Sequence, residues 1–206
     1  MKQIIKIAFL VIITNVMYPT VQAQQRIQFN VNYNISTPLS TDFKDYVNRT
    51  SVRGGQASIL YSFNNQIRAG LQGSFSNFYQ KYGRQVYKTS DGADISAVLS
   101  NTLQTVPLLA KGEYSLSKIG FFQPYIGVGA GVNFINYDQF IGEFQYNRNF
   151  IKPTFSGDVG LMIPFKKDAN YGFRISTSYN LVPFNEEGIH RLDSWNAQVG
   201  FTIPLK

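Results

Sequence analysis

His190 is the only histidine in the chain, and Asp193 and Ser194 lie close behind it. A histidine, a carboxylate and a hydroxyl are the parts of a hydrolase triad. Their spacing works against one: in an extended segment Ser194 shares the face of His190 but sits about 13 Å along the strand, whereas a nucleophile must approach its base to about 3 Å. A metal site built from several histidines is impossible with one, and there is no cysteine. No cofactor or metal is expected. Gly127-x-Gly129-x-Gly131 suggests a phosphate cradle, but that loop needs a strand before it and a helix after it, and Val132-Asn133-Phe134 continues a strand. These glycines are expected to make room in a narrow interior and to let a strand curve.

The remaining chemistry lies in five charges inside otherwise alternating segments: Arg68, Lys111, Glu113, Asp158 and Arg174. Eight such segments follow one another, with apolar residues at every second position. They run from about Arg26 to Ile35, Gly54 to Ser62, Ile67 to Phe75, Leu103 to Leu116, Phe122 to Phe134, Thr154 to Ile163, Tyr171 to Leu181 and Ser194 to Ile203. The first sets Ile27, Phe29, Val31, Tyr33 and Ile35 against Gln28, Asn30, Asn32 and Asn34. Connections alternate between long and short, the long ones covering about 36 to 53, 77 to 102, 135 to 153 and 182 to 193. A transmembrane strand needs about 9 to 11 residues, and barrels of this kind have tight turns on one membrane side and extended loops on the other.

All five charges fall on the polar face of these segments, and none falls on the apolar face. A basic side chain facing lipid at mid-bilayer costs about 2 to 4 kcal/mol, so that asymmetry is what a lipid-facing stripe requires. A soluble lipocalin-like barrel has the same period with the faces exchanged; here its wet exterior would have to be the Gln, Asn, Ser and Gly face. Tyr33, Tyr61, Tyr79, Tyr114, Tyr171, Tyr179 and Trp195 lie near segment ends, as interfacial aromatics do. The expected fold is all-β: an eight-stranded antiparallel up-and-down transmembrane β-barrel. Eight strands leave an interior just wide enough for side chains, so the five charges are expected to form a hydrogen-bonded salt-bridge network that plugs a polar lumen.

Residues 1–23 carry Lys2 and Lys6, an apolar run from Ile7 to Ile13 and then Val21-Gln22-Ala23, the pattern of a cleaved export signal. The apolar run is too short for a spanning helix. Residues 24–206 are expected to form one barrel domain. Without Lys2 and Lys6, 17 of the 19 basic residues remain against 12 acidic, a net charge of +5. The longest basic run is Lys166-Lys167, and basic residues form no stripe, which argues against nucleic acid as a partner.

Taken together, these segments resemble the small outer-membrane β-barrel proteins of the OmpA and OmpX type and the related PorT-like barrels. The resemblance is strongest over Pro124-Tyr125-Ile126-Gly127-Val128-Gly129-Ala130-Gly131 and the last strand. In this class the barrel-assembly machinery reads a C-terminal pattern of polar, any, Gly, any, any, apolar, any, apolar. Gln198, Gly200, Ile203 and Leu205 occupy its fixed positions, with Leu205 where an aromatic is common and Pro204 removing a backbone donor. The resemblance implies a monomeric, non-enzymatic integral outer-membrane protein of a Gram-negative envelope. Its implied partners are outer-membrane lipid and lipopolysaccharide, the assembly machinery during insertion, and an envelope or secretion partner at the outer loops. Phe78, Tyr79, Tyr82, Tyr87, Phe140, Phe144 and Tyr146 would line that loop surface or cover the rim. The alternatives are a component of a secretion or assembly machine, from the PorT-like resemblance, and a lipid-modifying enzyme using His190.

Overall fold

The computed structural model describes residues 27–88, 94–166 and 169–205. The expected export signal and Lys167 lie outside them. The strands are β1 (Ile27–Pro38), β2 (Gly54–Ser62), β3 (Ile67–Lys88), β4 (Asp94–Ser115), β5 (Gln123–Ile141), β6 (Phe144–Pro164), β7 (Gly172–Leu181), β8 (Pro183–Glu186), β9 (Ile189–Arg191) and β10 (Ser194–Leu205), with one helix, α1 (Thr41–Tyr46). Eight strands close into a barrel in the order β1-β10-β7-β6-β5-β4-β3-β2, and β8 and β9 form a separate small hairpin. Closure runs from Ile27 opposite Leu205 to Pro38 opposite Ser194, so no edge is left there to face hydrocarbon.

The period-2 pattern sorts side chains as lipid would. Leu71, Val128 and Ile59 point out and are mostly exposed, whereas Asn30, Asn32, Gln56, Ser58, Gln72 and Asn196 are buried inside. A soluble barrel would bury the first set and hydrate the second. On β5 the outward apolar positions run from Pro124 to Phe134. At about 3.4 Å per residue and a tilt near 40°, they rise about 26 Å, matching the apolar band of about 25 Å in outer-membrane barrels. Tyr61 and Tyr114 stand outward near the short-turn end and Tyr33, Tyr179 and Trp195 near the other.

The long connections differ from the expectation. The sequence pattern places loops at 77–102 and 135–153, yet β3 and β4 continue in register to Lys88 and Asp94, and β5 and β6 to Ile141 and Phe144. Beyond the apolar band the outward face turns polar and apolar residues move to the inward face, so the lipid-facing signal ends while the ladder continues. The connection 36–53 holds α1, and 182–193 holds the β8–β9 hairpin. Pro204, beyond the predicted end of the last strand, lies within β10 opposite Gln28.

Candidate functional site

The lumen is built in layers, and the sheet register decides what meets what. Arg68 on β3, Glu113 on β4, Gly127 on β5 and Asp158 on β6 are successive cross-strand partners. Gly127 lacks the side chain that would separate its neighbours; a Cβ there would stand 2.5 Å from Asp158 Oδ1. The Asp158 carboxylate uses that gap to reach Lys111, whose Nζ lies 3.1 Å from Asp158 Oδ2 and 3.2 Å from Glu113 Oε1 and donates to Gln72 Oε1 at 2.8 Å. Glu113 also receives Arg174 Nη2 and lies 3.4 Å from Arg68 Nη2. Arg68 donates further to Gln28 at 3.1 Å and Ser115 at 2.6 Å, and the Arg174 guanidinium sits 3.9 Å over the Tyr125 ring. All five charged side chains are buried. Three cations share two carboxylates, with Glu113 at the centre. Ions removed from water are tolerable only when paired and hydrogen-bonded in this way.

Above this layer the interior is amide and hydroxyl. Asn30 donates to Ser58 at 2.9 Å and accepts from Thr202 at 2.7 Å; Asn32 donates to Gln56 at 3.0 Å; Ser176 donates to Gln198 at 2.9 Å. Ser36 joins Asn196 across the closing strands at 2.6 Å. Strands β2, β1, β10 and β7 are therefore joined inside the barrel as well as in the ladder.

At the long-connection end the polarity reverses. Phe78, Leu103, Ile135 and Tyr137 point inward from β3, β4 and β5, and Phe43, Tyr46 and Val47 of the α1 segment pack on them with Val182, Phe184, Ile189 and Leu192. Phe43 meets Phe78 edge to face at 4.9 Å, Tyr46 stacks on Tyr137 at 4.4 Å, and Phe184 meets Phe150 at 5.0 Å. Burial pushes the Tyr46 phenol well above its ordinary pKa, and its hydroxyl donates to Asp138 O at 2.8 Å. Polar bonds fasten this cap: Ser40 Oγ donates to Arg191 O at 2.6 Å, and the His190 N–H donates to Asp42 Oδ2 at 3.0 Å.

No family model matches the sequence, and no curated protein is similar to it. Among solved structures the chain is similar to Neisserial surface protein A, with a TM-score of 0.57 at 11% identity over 90% of this chain and 100% of that one. It is also similar to the outer membrane protease OmpT from Escherichia coli, with a TM-score of 0.50 at 7% identity over 92% of this chain and 100% of that one. The chain has the fold of the small outer-membrane β-barrels.

In this outer-membrane-type barrel the five charges singled out from the sequence converge in one buried cluster. The PorT-like likeness gains no specific support. His190, Asp193 and Ser194 do not assemble as a triad. Asp193 accepts Tyr179 OH at 2.8 Å and the Val182 N–H at 3.1 Å and pairs with Arg191 at 2.5 Å, while the His190 backbone bonds to α1. Among the described residues no group of three or more His, Asp or Glu gathers as a metal site would. Gln198 and Gly200 face the lumen, and Ile203 and Leu205 face outward.

Two expectations need correction. The lumen is polar only in part, because its long-connection end is apolar. Phe78, read as a loop-surface residue, is buried in that cap, since the β3 parity that exposes Tyr79 turns Phe78 inward. Sequence reasoning missed the cap, although the apolar residues changing face at Phe78, Leu103 and Ile135 were its signal.

Proposed function

We propose that this chain is a non-enzymatic integral outer-membrane protein, exported by a cleaved signal, whose plugged barrel passes no solute and whose long-connection end faces outward. It serves envelope integrity or contact with a partner or ligand through that outer end. The observation that carries the reading is a lumen filled at two separate levels, an ion-paired layer centred on Glu113 and an apolar cap centred on Phe43 and Phe78. Eight strands enclose little more than their own side chains. The engagement of Asp193 by Tyr179, Val182 and Arg191 supports a structural role for the residues around His190.

The test is a planar bilayer recording of the purified chain, paired with the lipid A mass spectrum of cells expressing it. A silent bilayer and an unchanged spectrum are expected. Discrete conductance steps overturn the plugged lumen, and a mass shift that disappears in His190→Ala establishes an enzyme instead.

A further inference from the structure

The charge of the buried layer does not balance. Arg68, Lys111 and Arg174 face Glu113 and Asp158, which leaves one positive charge over. Asp193, the other buried charged residue among those described, pairs with Arg191 at the long-connection end and does not offset it. Proton transfer does not remove the excess either. Arginine keeps its proton in proteins, and the Lys111 ammonium is held against Glu113, Asp158 and Gln72, three acceptors for three hydrogens. Protonating either carboxylate only enlarges the imbalance.

The excess has a definite place. β3 and β7 stand on opposite walls of the eight-stranded ring, and Arg68 and Arg174 reach from them to the same Glu113 carboxylate. Each guanidinium keeps one donor free. Arg68 donates through Nη1 to Gln28 at 3.1 Å and through Nη2 to Ser115 at 2.6 Å, but its Nε finds no acceptor among the described residues. Arg174 donates through Nη2 to Glu113, while its Nη1 finds none. The two residues are only 5% and 2% exposed. A buried N–H without an acceptor and a buried cation without a counter-charge are both costly. One anion satisfies both, whereas a water molecule satisfies only the first.

We propose that the lumen binds one small monovalent anion, of chloride size, between the two guanidiniums on Arg68 Nε and Arg174 Nη1. The single excess charge sets its valence. An interior little wider than its own side chains sets its size and excludes phosphate. Arg68 lies opposite Ser62 in the last register pair before a short connection, so the ion is reached from the short-connection end, away from the apolar cap. The proposal rests on the reading above of a plugged lumen and makes the ion a fixed part of the plug.

The experiment refolds and crystallises the full mature chain with bromide in place of chloride, and bromine anomalous scattering locates the ion. One peak in contact with both guanidiniums is expected. Gln72→Glu places a carboxylate where the amide oxygen accepts Lys111 at 2.8 Å, balancing the layer without removing a cation, and the peak should vanish. If that variant loses its heat-modifiable gel shift, Arg68→Gln, which removes the excess cation instead, decides the matter by the same readout. In lipid vesicles, urea unfolding is compared in chloride and in gluconate at equal ionic strength. Tenfold more chloride should raise the wild-type folding constant by up to tenfold and leave Gln72→Glu unchanged. Absence of the peak, a peak that persists in the balanced variant as an adventitious ion only, or equal stability in the two salts overturns the proposal. Discrete chloride conductance in a planar bilayer overturns the plugged lumen itself.

Discussion

Replacing Glu113 with glutamine removes the one carboxylate that Arg68, Lys111 and Arg174 share, while keeping the shape of the side chain. The buried layer changes from three cations and two anions to three cations facing Asp158 alone. Breaking a buried ion pair from one side costs about 3 to 5 kcal/mol, because the partner charge stays behind without compensation. At 1.36 kcal/mol per decade, that is roughly a 150-fold to 5000-fold loss in the folding equilibrium. Glutamine can still accept one of the three donors, so the lower end is expected. Urea unfolding from lipid vesicles measures it, and Trp195, the single tryptophan, reports directly because it faces outward from β10. Adding Lys111→Met to the variant removes one of the stranded cations and should recover part of the loss. Lys152→Met breaks the Lys152–Glu186 pair at 2.7 Å, which is partly exposed, and should cost at most about 1 kcal/mol. If Glu113→Gln costs no more than Lys152→Met, the lumen is wet and screened, and the argument for a dry ionic plug fails.

Gly127→Val puts a Cβ 2.5 Å from Asp158 Oδ1 and should cost about 1 to 3 kcal/mol in the same unfolding assay, whereas Gly73→Ala, with nothing within 4 Å, should lie within about 0.5 kcal/mol of wild type. Leu71→Arg places a cation in the outward apolar band and should lose about 2 to 4 kcal/mol in vesicles; a change near zero would mean that lipid does not cover that face. Tyr46 has its pKa raised by burial, so its contribution is complete below the unfolded value of about 10 and is lost as pH climbs beyond it, when the unfolded phenol ionises first. Protease cleavage within 39–50 should therefore begin above about pH 10, and Tyr46→Phe should delay it; identical alkaline cleavage in both proteins would contradict this.

Alternation made the barrel legible wherever lipid and lumen differ in what they accept. The alternation alone gives β2 its observed bounds, and it places the row Ile27, Phe29, Val31, Tyr33 and Ile35 of β1 on the outward face where the structure has it. The charges were legible for the same reason: Arg68, Lys111 and Glu113 fall at inward parity, and a closed eight-stranded ring leaves them only each other. The extensions of β3 to β6 were not legible, because past the apolar band the outward residues Asn136, Asp138 and Asn149 are as polar as a loop. α1 is six residues long and shows only Phe43 and Tyr46 at helical spacing, too little for a periodic signal. The cap depends on contacts between segments as distant as Phe43 and Phe184, which no local pattern contains.

The bonds inside the barrel join parts of the chain that are far apart in sequence: Glu113 to Arg174 spans 61 residues, Ser36 to Asn196 spans 160, and Thr202 to Asn30 spans 172. None of the latter two can form until β10 meets β1. The interior must stay hydrated up to that moment, since an unpaired ion or amide cannot give up water early without a large penalty. The last water therefore leaves only after the ring has closed, and the order of assembly is built into the register: zip from the hairpins, seal the seam, then dry.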